Sequence, residues 1–440
     1  MNNDVSRLTY KQILFFWIPL ALSWLMMAVE GPFLASVIAR LVDSKINLAA
    51  YGVAFSIALI IEAPIIMITS AMTSLCKDKD SFIKLKKFIT ILNISITLMM
   101  LVLITPPVFF YLANLIGLEE SVTNLTHRAI ILLLPWPAAI GYRRFYQGVL
   151  ILHNKTRRIT YGTIVRLGTM ASTALVLYFL NITGVLVGAA ALSMGVIGEA
   201  VAIRIMAHQF ANRYLKQAPG LKQSNTQLSY SYIAKFYYPL ALMTMLTLGV
   251  HPMITFFMGK SRFPLESLAV LPVVNSLAFI FRAIGLSYQE VVITMLRRSE
   301  KNYCILRNFG LMIGCFLFIG LGLIAYTPLS EIWFYQVSGL SRELTEFSSK
   351  PIRILAFLPG LSVLLTFQWA TLMYSRKTFP ITWSTSIEVA MIIISLTVCV
   401  YYFNLVGAVA ATVSYVIGRI CANLFLTPFS IGAARLFQKS

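Results

Sequence analysis

WIPLAL at Trp17–Leu22 returns as YYPLAL at Tyr237–Leu242, 220 residues later in a chain of 440. Half the chain length is the spacing that an internal duplication produces, and the same register runs outward from this stretch. Leu8, Tyr10, Ile13, Phe16, Pro19, Leu20, Ala21, Leu22 and Pro32 meet Leu228, Tyr230, Ile233, Phe236, Pro239, Leu240, Ala241, Leu242 and Pro252. Leu48, Ala49, Val53, Ser56, Ala58, Ile60 and Ala63 meet Leu268, Ala269, Val273, Ser276, Ala278, Ile280 and Ala283 at the same offset. At an offset of 222, Lys155–Thr160 meets Lys377–Thr382 and Pro137 meets Pro359; at 223, Asn181–Ala190 meets Asn404–Val413. Apolar helices resemble one another by composition, but shared Pro, Tyr and Lys-Thr positions in a nearly constant register do not follow from Leu, Ile and Val richness.

The units being repeated are membrane spans. Hydrophobic residues make up 58% of the chain and charged residues 12%, and mean hydropathy is +0.79. A soluble domain carries about a quarter charged residues, so this chain has more apolar surface than a water-soluble core can hide. Twelve stretches reach the roughly 20 apolar residues a spanning helix needs: 12–39, 47–75, 88–114, 127–151, 160–181, 184–210, 231–258, 265–294, 308–328, 350–374, 380–402 and 405–430. Lys/Arg-rich loops at 76–87, 153–160, 297–307 and 375–378 alternate with poorer ones at 116–127 and 181–184. That alternation predicts both termini and the basic loops on the cytoplasmic side of the inner membrane. The N-terminus has no small-residue cleavage site after its first apolar run and reads as an uncleaved first span.

The expected fold class is thus an all-α integral membrane protein. It comprises an N-terminal six-helix bundle at 1–210, a cytoplasmic linker at 211–229 rich in Pro, Gly, Ser, Asn and Gln, and a C-terminal bundle at 230–440. Because six is even, both halves enter the membrane in the same sense. Such parallel repeats are related by a pseudo-two-fold axis along the membrane normal, with substrate expected between them near mid-membrane, as in alternating-access transporters.

Four ordered stretches carry a family resemblance: AAYGVAFSI (Ala49–Ile57), FYYPLAL (Phe236–Leu242), ESLAVL (Glu266–Leu271) and PIRILAFLP followed by KTF (Pro351–Pro359, Lys377–Phe379). Together they resemble the progressive ankylosis protein family, a branch of the superfamily of multidrug and toxin extrusion (MATE) transporters and polysaccharide-lipid flippases. The resemblance implies two six-helix bundles forming a V. It also implies export of ATP, citrate and related organic anions, and of pyrophosphate directly or indirectly. A major facilitator shares the six-plus-six plan, but its Gly/Asp/Arg-rich second-to-third-helix loop is replaced here by CKDKDSFIKLKK (Cys76–Lys87).

Charged groups inside spans are costly and are functional candidates by default. The acidic set is Glu30, Glu62, Glu199, Glu290 and Glu388. The basic set is Arg143, Arg144, Arg166, Arg204, Arg282, Arg353 and Arg419, with His208 and His251 titratable. Arg204, His208, Glu290 and Arg353 lie near span ends, where they can reach the interface. Arg166 and Arg419 read as clamps between helices.

Glu30 precedes Gly31-Pro32, where proline removes a helical hydrogen bond; the freed carbonyl and the carboxylate suit a proton or Na⁺. MATE transporters use a first-helix carboxylate, usually Asp, for coupling. The equivalent place in the seventh span reads His251-Pro252. Glu62 and its repeat-mate Arg282 suggest a salt bridge made and broken during transport. Glu30 and Glu62 are therefore the coupling-ion candidates.

Arg143 and Arg144, adjacent and so about 100° apart on a helix, offer the planar donors that match carboxylate and phosphate. With Tyr142, Tyr146, Gln147, Arg282, Asn275 and His251 they form the expected anion-binding set. The predicted activity is export of organic or phosphorylated anions. A proton- or sodium-coupled multidrug antiporter, needing an acidic or aromatic cavity, is the alternative, followed by a lipid-linked sugar flippase.

The chain has no HExxH, GxSxG or Walker A pattern, so an enzyme is not expected and ATP would be cargo. The net charge of +20 is assigned to loops and interior, and nucleic-acid binding is not expected. The five cysteines have no metal or CxxC spacing and are expected to be small buried hydrophobes. No metal or cofactor is expected, and the expected state is a monomer in the bilayer.

Overall fold

The computed structural model describes residues 8–153, 155, 157–216, 228–375, 377 and 379–437. Most of the linker expected at 211–229 lies outside the described residues, as do the first residues of the chain, the last three, and Asn154, Thr156, Arg376 and Thr378 of the basic loops. Eleven helices among the described residues are long and apolar enough to cross a membrane. They are Tyr10–Ala39, Ser44–Leu75, Lys79–Ile104, Arg157–Phe179, Gly184–Lys216, Tyr230–Gly259, Pro264–Leu296, Glu300–Tyr326, Arg342–Tyr374, Phe379–Tyr402 and Gly407–Arg435.

The fourth of the twelve expected spans is two helices, Glu120–Leu132 and Pro135–Leu152. Its second half carries Tyr142, Arg143, Arg144 and Gln147, which depress its hydropathy. A short apolar helix, Pro106–Ile116, precedes it.

The duplication is written in the backbone. Six described residues have φ in the left-handed region, and they fall into three pairs at the sequence offsets of the repeat. Asp43 (φ 55°) pairs with Phe263 (φ 56°), Asn181 (φ 55°) with Asn404 (φ 49°), and Gly117 (φ 81°) with Gly339 (φ 74°). Left-handed backbone is costly for side chains other than Gly, Asn and Asp. Its recurrence even at a phenylalanine shows that the loop geometry is inherited with the repeat. Helix breaks recur too. The second span stops at Glu62 and resumes at Ile68, and the eighth stops at Leu286 and resumes at Tyr288. The fourth breaks after Leu132 and the tenth after Leu355, each just before a proline (Pro135, Pro359).

Packing divides the chain into two compact units: residues 41–256, and residues 1–40 with 257–440. This differs from the halves drawn from the repeat in the placement of the first and seventh spans. Residues 1–40 pack with the eighth span and its neighbours, and most of the seventh span packs with the second.

The opening stretch shows why. Trp17 Nε1 donates to Ser287 Oγ at 2.7 Å, and its ring packs edge-on against Tyr288 and Phe309. Its repeat-mate Tyr237 donates its hydroxyl to the carbonyl of Pro64 and packs edge-on against Phe88. Both are buried, as are Ile13 and Ile233 one turn earlier. An aromatic polar tip two residues before an internal proline thus ties each first-of-half span to the break in a second-of-half span. A buried indole or phenol group requires such a partner. The helix through Pro239 and Pro252 remains continuous over Tyr230–Gly259. Within it, Thr244 donates to the carbonyl of Ala63 at 2.7 Å, and Thr255 bonds Ser56 Oγ at 3.1 Å.

Glycines set the closest helix contacts. A Cβ on Gly195 would lie 3.0 Å from Met170 Cβ and 3.2 Å from the Arg166 carbonyl. One on Gly418 would lie 2.6 Å from Ile392 Cγ1 and 2.9 Å from the Glu388 carbonyl. Gly195 and Gly418 are repeat-mates, and so are Met170 with Ile392 and Arg166 with Glu388. The fifth and sixth spans therefore cross as the eleventh and twelfth do. The cysteines depart from expectation: Cys76 and Cys399 are buried, but Cys304 and Cys315 face outward from the ninth span.

Candidate functional site

The second span interrupts at Glu62 because Pro64 follows, and the chain makes a 3₁₀ turn over Ala63–Ile65 before the helix resumes. Glu62 therefore sits at a helix C-terminus, where the partial negative charge of exposed carbonyls disfavours a carboxylate. It is buried, and its compensation is cationic: Arg144 first, then Arg143 and Arg166. Glu62 Oε2 and Arg144 Nε are both buried and make no hydrogen bond.

Arg143 and Arg144 diverge as adjacent helical positions must. Arg143 Nη1 makes a close ion pair with Glu199 Oε2 on the sixth span. Arg166 Nη1 approaches the same oxygen at 3.8 Å, and Gln147 Nε2 donates to Glu199 Oε1 at 3.3 Å. Glu199, 1% exposed, is the hub of this cluster. Tyr146 is buried against Tyr142, ring centroids 4.9 Å apart, while Tyr142 is exposed. The cluster in this unit thus joins three guanidinium groups to two carboxylates.

The unit of residues 1–40 and 257–440 has its own cluster. Arg419 Nε and Nη2 both meet Glu388 Oε1, at 2.9 and 2.8 Å, and Nη1 donates to Ser362 Oγ at 3.1 Å. Arg282 neighbours Arg419, Glu388 and Tyr415, and Asn275 bonds Tyr415. Arg282 Nε is buried and makes no hydrogen bond. Here two guanidinium groups share one carboxylate. The clamp is inverted relative to the other unit: the fifth span carries Arg166 and the sixth Glu199, whereas the eleventh carries Glu388 and the twelfth Arg419.

The expected set is thus brought together only in part. Arg143, Arg144, Gln147 and Glu62 form one cluster, while Tyr146 packs against Tyr142 and beneath Arg204. Arg282 and Asn275 belong to the cluster of the other unit. The suggested Glu62–Arg282 exchange involves residues that each have oppositely charged neighbours within their own unit.

His251 accepts through its carbonyl from Thr255 Oγ1 at 3.1 Å on an unbroken helix, so it does not reproduce the break at Glu30. There the first span is interrupted at Val29 and a second helix begins at Glu30. Pro32 falls in the first turn of that helix, where its missing N–H is not needed. The buried Glu30 lies at a helix N-terminus, which favours its charge. Arg166 and Arg419 act as the helix clamps expected of them. Glu199 and Glu388 had no assigned role; for Glu388 the signal available was its place 222 residues after Arg166, the offset of the repeat in these spans. Among the described residues no cluster of His, Cys, Asp and Glu could hold a metal ion.

No protein-family model matches the chain, and no curated protein matches it. Solved structures do. A multidrug resistance MATE family transporter of the MOP superfamily in its inward-facing conformation aligns with a TM-score of 0.72 at 15% identity, over 96% of this chain and 99% of that one. The lipid II flippase MurJ, inward closed, aligns at 0.70 and 14% identity, over 96% and 91%. The Vibrio cholerae MATE transporter VcmN, as a mutant, aligns at 0.63 and 16% identity, over 97% of each chain. The narrower likeness to the progressive ankylosis family finds no support in these comparisons. Nearly full-length alignment and eleven spanning helices make this a multi-pass membrane protein with the fold shared by MATE transporters and MurJ.

Proposed function

We propose that the protein is an alternating-access transporter of the cytoplasmic membrane that exports organic or phosphorylated anions, citrate and ATP among the chemistries to test. One observation carries the reading: the cluster of each packing unit holds one more guanidinium group than carboxylate, and in each an arginine Nε, of Arg144 and of Arg282, is buried without a hydrogen-bond partner. Arg143, Arg166 and Arg419 are committed to Glu199 and Glu388. Arg144 and Arg282 therefore lead as the groups that bind cargo through charge-assisted bonds. Glu62 is the internal anion that neutralises Arg144 between cycles. When cargo takes its place at Arg144, Glu62 loses its countercharge and gains affinity for a proton, which couples anion and proton movement.

A transporter of lipophilic cations would require the opposite charge balance. A flippase for a lipid-linked pyrophosphate would use the same arginines, and the fold likeness to MurJ favours it as the second reading. The test is efflux of labelled citrate or ATP from proteoliposomes. Saturable efflux, lowered at least tenfold by Arg144→Gln or Arg282→Gln in protein that still folds, is the expected result. Equal efflux from parent, variants and protein-free liposomes would sink the proposal.

A further inference from the structure

A third cationic site adjoins the fourth span through Tyr146 but shares no carboxylate with the buried clusters, and it stands whether or not the transport reading holds. Between Glu120 and Glu266 the sequence holds fourteen Lys and Arg but a single acidic residue, Glu199, and that one is buried against Arg143. At the far end of the sixth span a cleft of about 500 Å³ is lined by Arg158, Arg204, Ile205, Met206, His208 and Gln209.

Its two guanidinium groups are held in place without a carboxylate. Arg158 Nη1 donates to the Met206 carbonyl at 2.6 Å, and its guanidinium lies 5.1 Å from the Phe210 ring centroid. Arg204 lies over Tyr146 at 4.9 Å, and its Nη1 is 3.0 Å from His208 Nδ1. His208 Nε2 is in turn 3.0 Å from Asn212 Nδ2. Carbonyl, ring and imidazole contacts orient these cations while leaving their charge unneutralised, which is the state of a phosphate site before its ligand arrives.

The foot of the cleft is apolar. Ile205 lines it and is 69% exposed, and Val201, one turn earlier on the same face, is also exposed. In a spanning helix such a face meets acyl chains. A phosphate-binding head beside a lipid-facing stripe is the arrangement by which basic pockets at span ends hold anionic lipids.

We infer that the cleft of Arg158, Arg204 and His208 binds the phosphate headgroup of an anionic phospholipid, with its acyl chain along Ile205 and Val201. The site is therefore more than a pair of side chains reaching for the interface.

The test uses the purified full-length chain in detergent, titrated with phosphatidylglycerol, phosphatidylcholine or soluble glycerol phosphate and followed by native mass spectrometry and thermal unfolding. Phosphatidylglycerol is expected to bind at least tenfold more tightly than phosphatidylcholine and to raise the unfolding temperature. The Arg158→Gln/Arg204→Gln variant should lose that preference. Arg128→Gln, an exposed control, and Arg144→Gln should keep it, the latter separating this cleft from the proposed transport site. If the double variant does not fold, each single variant should weaken phosphatidylglycerol binding several-fold. Equal binding of the two lipids, or a preference that survives loss of both arginines, would overturn the inference. Protection by glycerol phosphate equal to that by phosphatidylglycerol would overturn its lipid part.

Discussion

Glu62 and Glu199 are both buried acidic side chains facing arginines, yet they are bonded differently. Glu199 is gripped by Arg143, Arg166 and Gln147. Removing one partner of a buried pair leaves the other uncompensated at a cost of about 3–5 kcal/mol. Glu199→Gln should therefore lower the thermal unfolding temperature of the purified protein strongly. Glu62 Oε2 has no hydrogen-bond partner to lose, so Glu62→Gln should fold nearly as well as the parent while abolishing proton movement with the anion. A Glu62→Gln protein that still acidifies or alkalinises the lumen during efflux would contradict the coupling role.

A third acidic residue works outside the membrane. Asp78 caps the third span, accepting from the Ser81 N–H at 2.8 Å, and this bond holds its carboxyl below the usual range. A depressed carboxyl stabilises the fold above its unfolded pKa, and that contribution disappears as pH falls through the folded value. Asp78→Ala should cost about 1 kcal/mol near neutral pH, and the gap to the parent should close in acid. A gap unchanged at acidic pH would show that the cap charge contributes nothing.

Among elements, the crossings of the fifth with the sixth span and of the eleventh with the twelfth share one design. A glycine admits the partner backbone, and a salt bridge closes nearby in opposite polarity, through Glu199 one turn after Gly195 and through Arg419 directly after Gly418. Gly418→Ala should destabilise, because the neighbouring atom at 2.9 Å is the Glu388 backbone carbonyl, which cannot swing away. Gly168→Ala, whose Cβ would meet nothing within 4 Å, should be neutral or gain up to about 1 kcal/mol from helix propensity. Denaturation of the two variants side by side is the check; equal effects would remove the close-packing argument.

Much of this scale was legible. Spans, the register and the charged positions follow from hydropathy and spacing. The breaks at Glu62 and Leu286 were not, because a proline inside a span need not break it, as Pro239 and Pro252 show, and the eighth span has no proline at the place equivalent to Pro64. The left-handed Phe263 was illegible for the same kind of reason, since nothing in a phenylalanine announces positive φ. The fourth span is consistent with the expected twelve, but it is built from two helices and its arginines lower its hydropathy. The residues proposed for the site are those that weaken the span signal.

For the whole molecule, the repeat seen in the sequence is confirmed in the paired positive-φ residues, but packing does not follow its halves. The first span lies with residues 257–440 and most of the seventh with residues 41–256. Trp17 and Tyr237 reveal this only through their partners, Ser287 and Pro64, which are far away in sequence. A register can say which residues are equivalent; it cannot say which copy each one touches. The candidate site divided in the same way, with Arg143 and Arg144 in one unit and Arg282 and Asn275 in the other.

The charge of the cargo is the property on which the whole account turns. The direct measurement is equilibrium binding to the purified protein, comparing citrate with a quaternary ammonium cation, in the parent and in Arg144→Gln. The account predicts saturable citrate binding, weakened at least tenfold in the variant, and no saturable binding of the cation. Saturable cation binding that Arg144→Gln leaves intact or strengthens, with no binding of citrate, would contradict it.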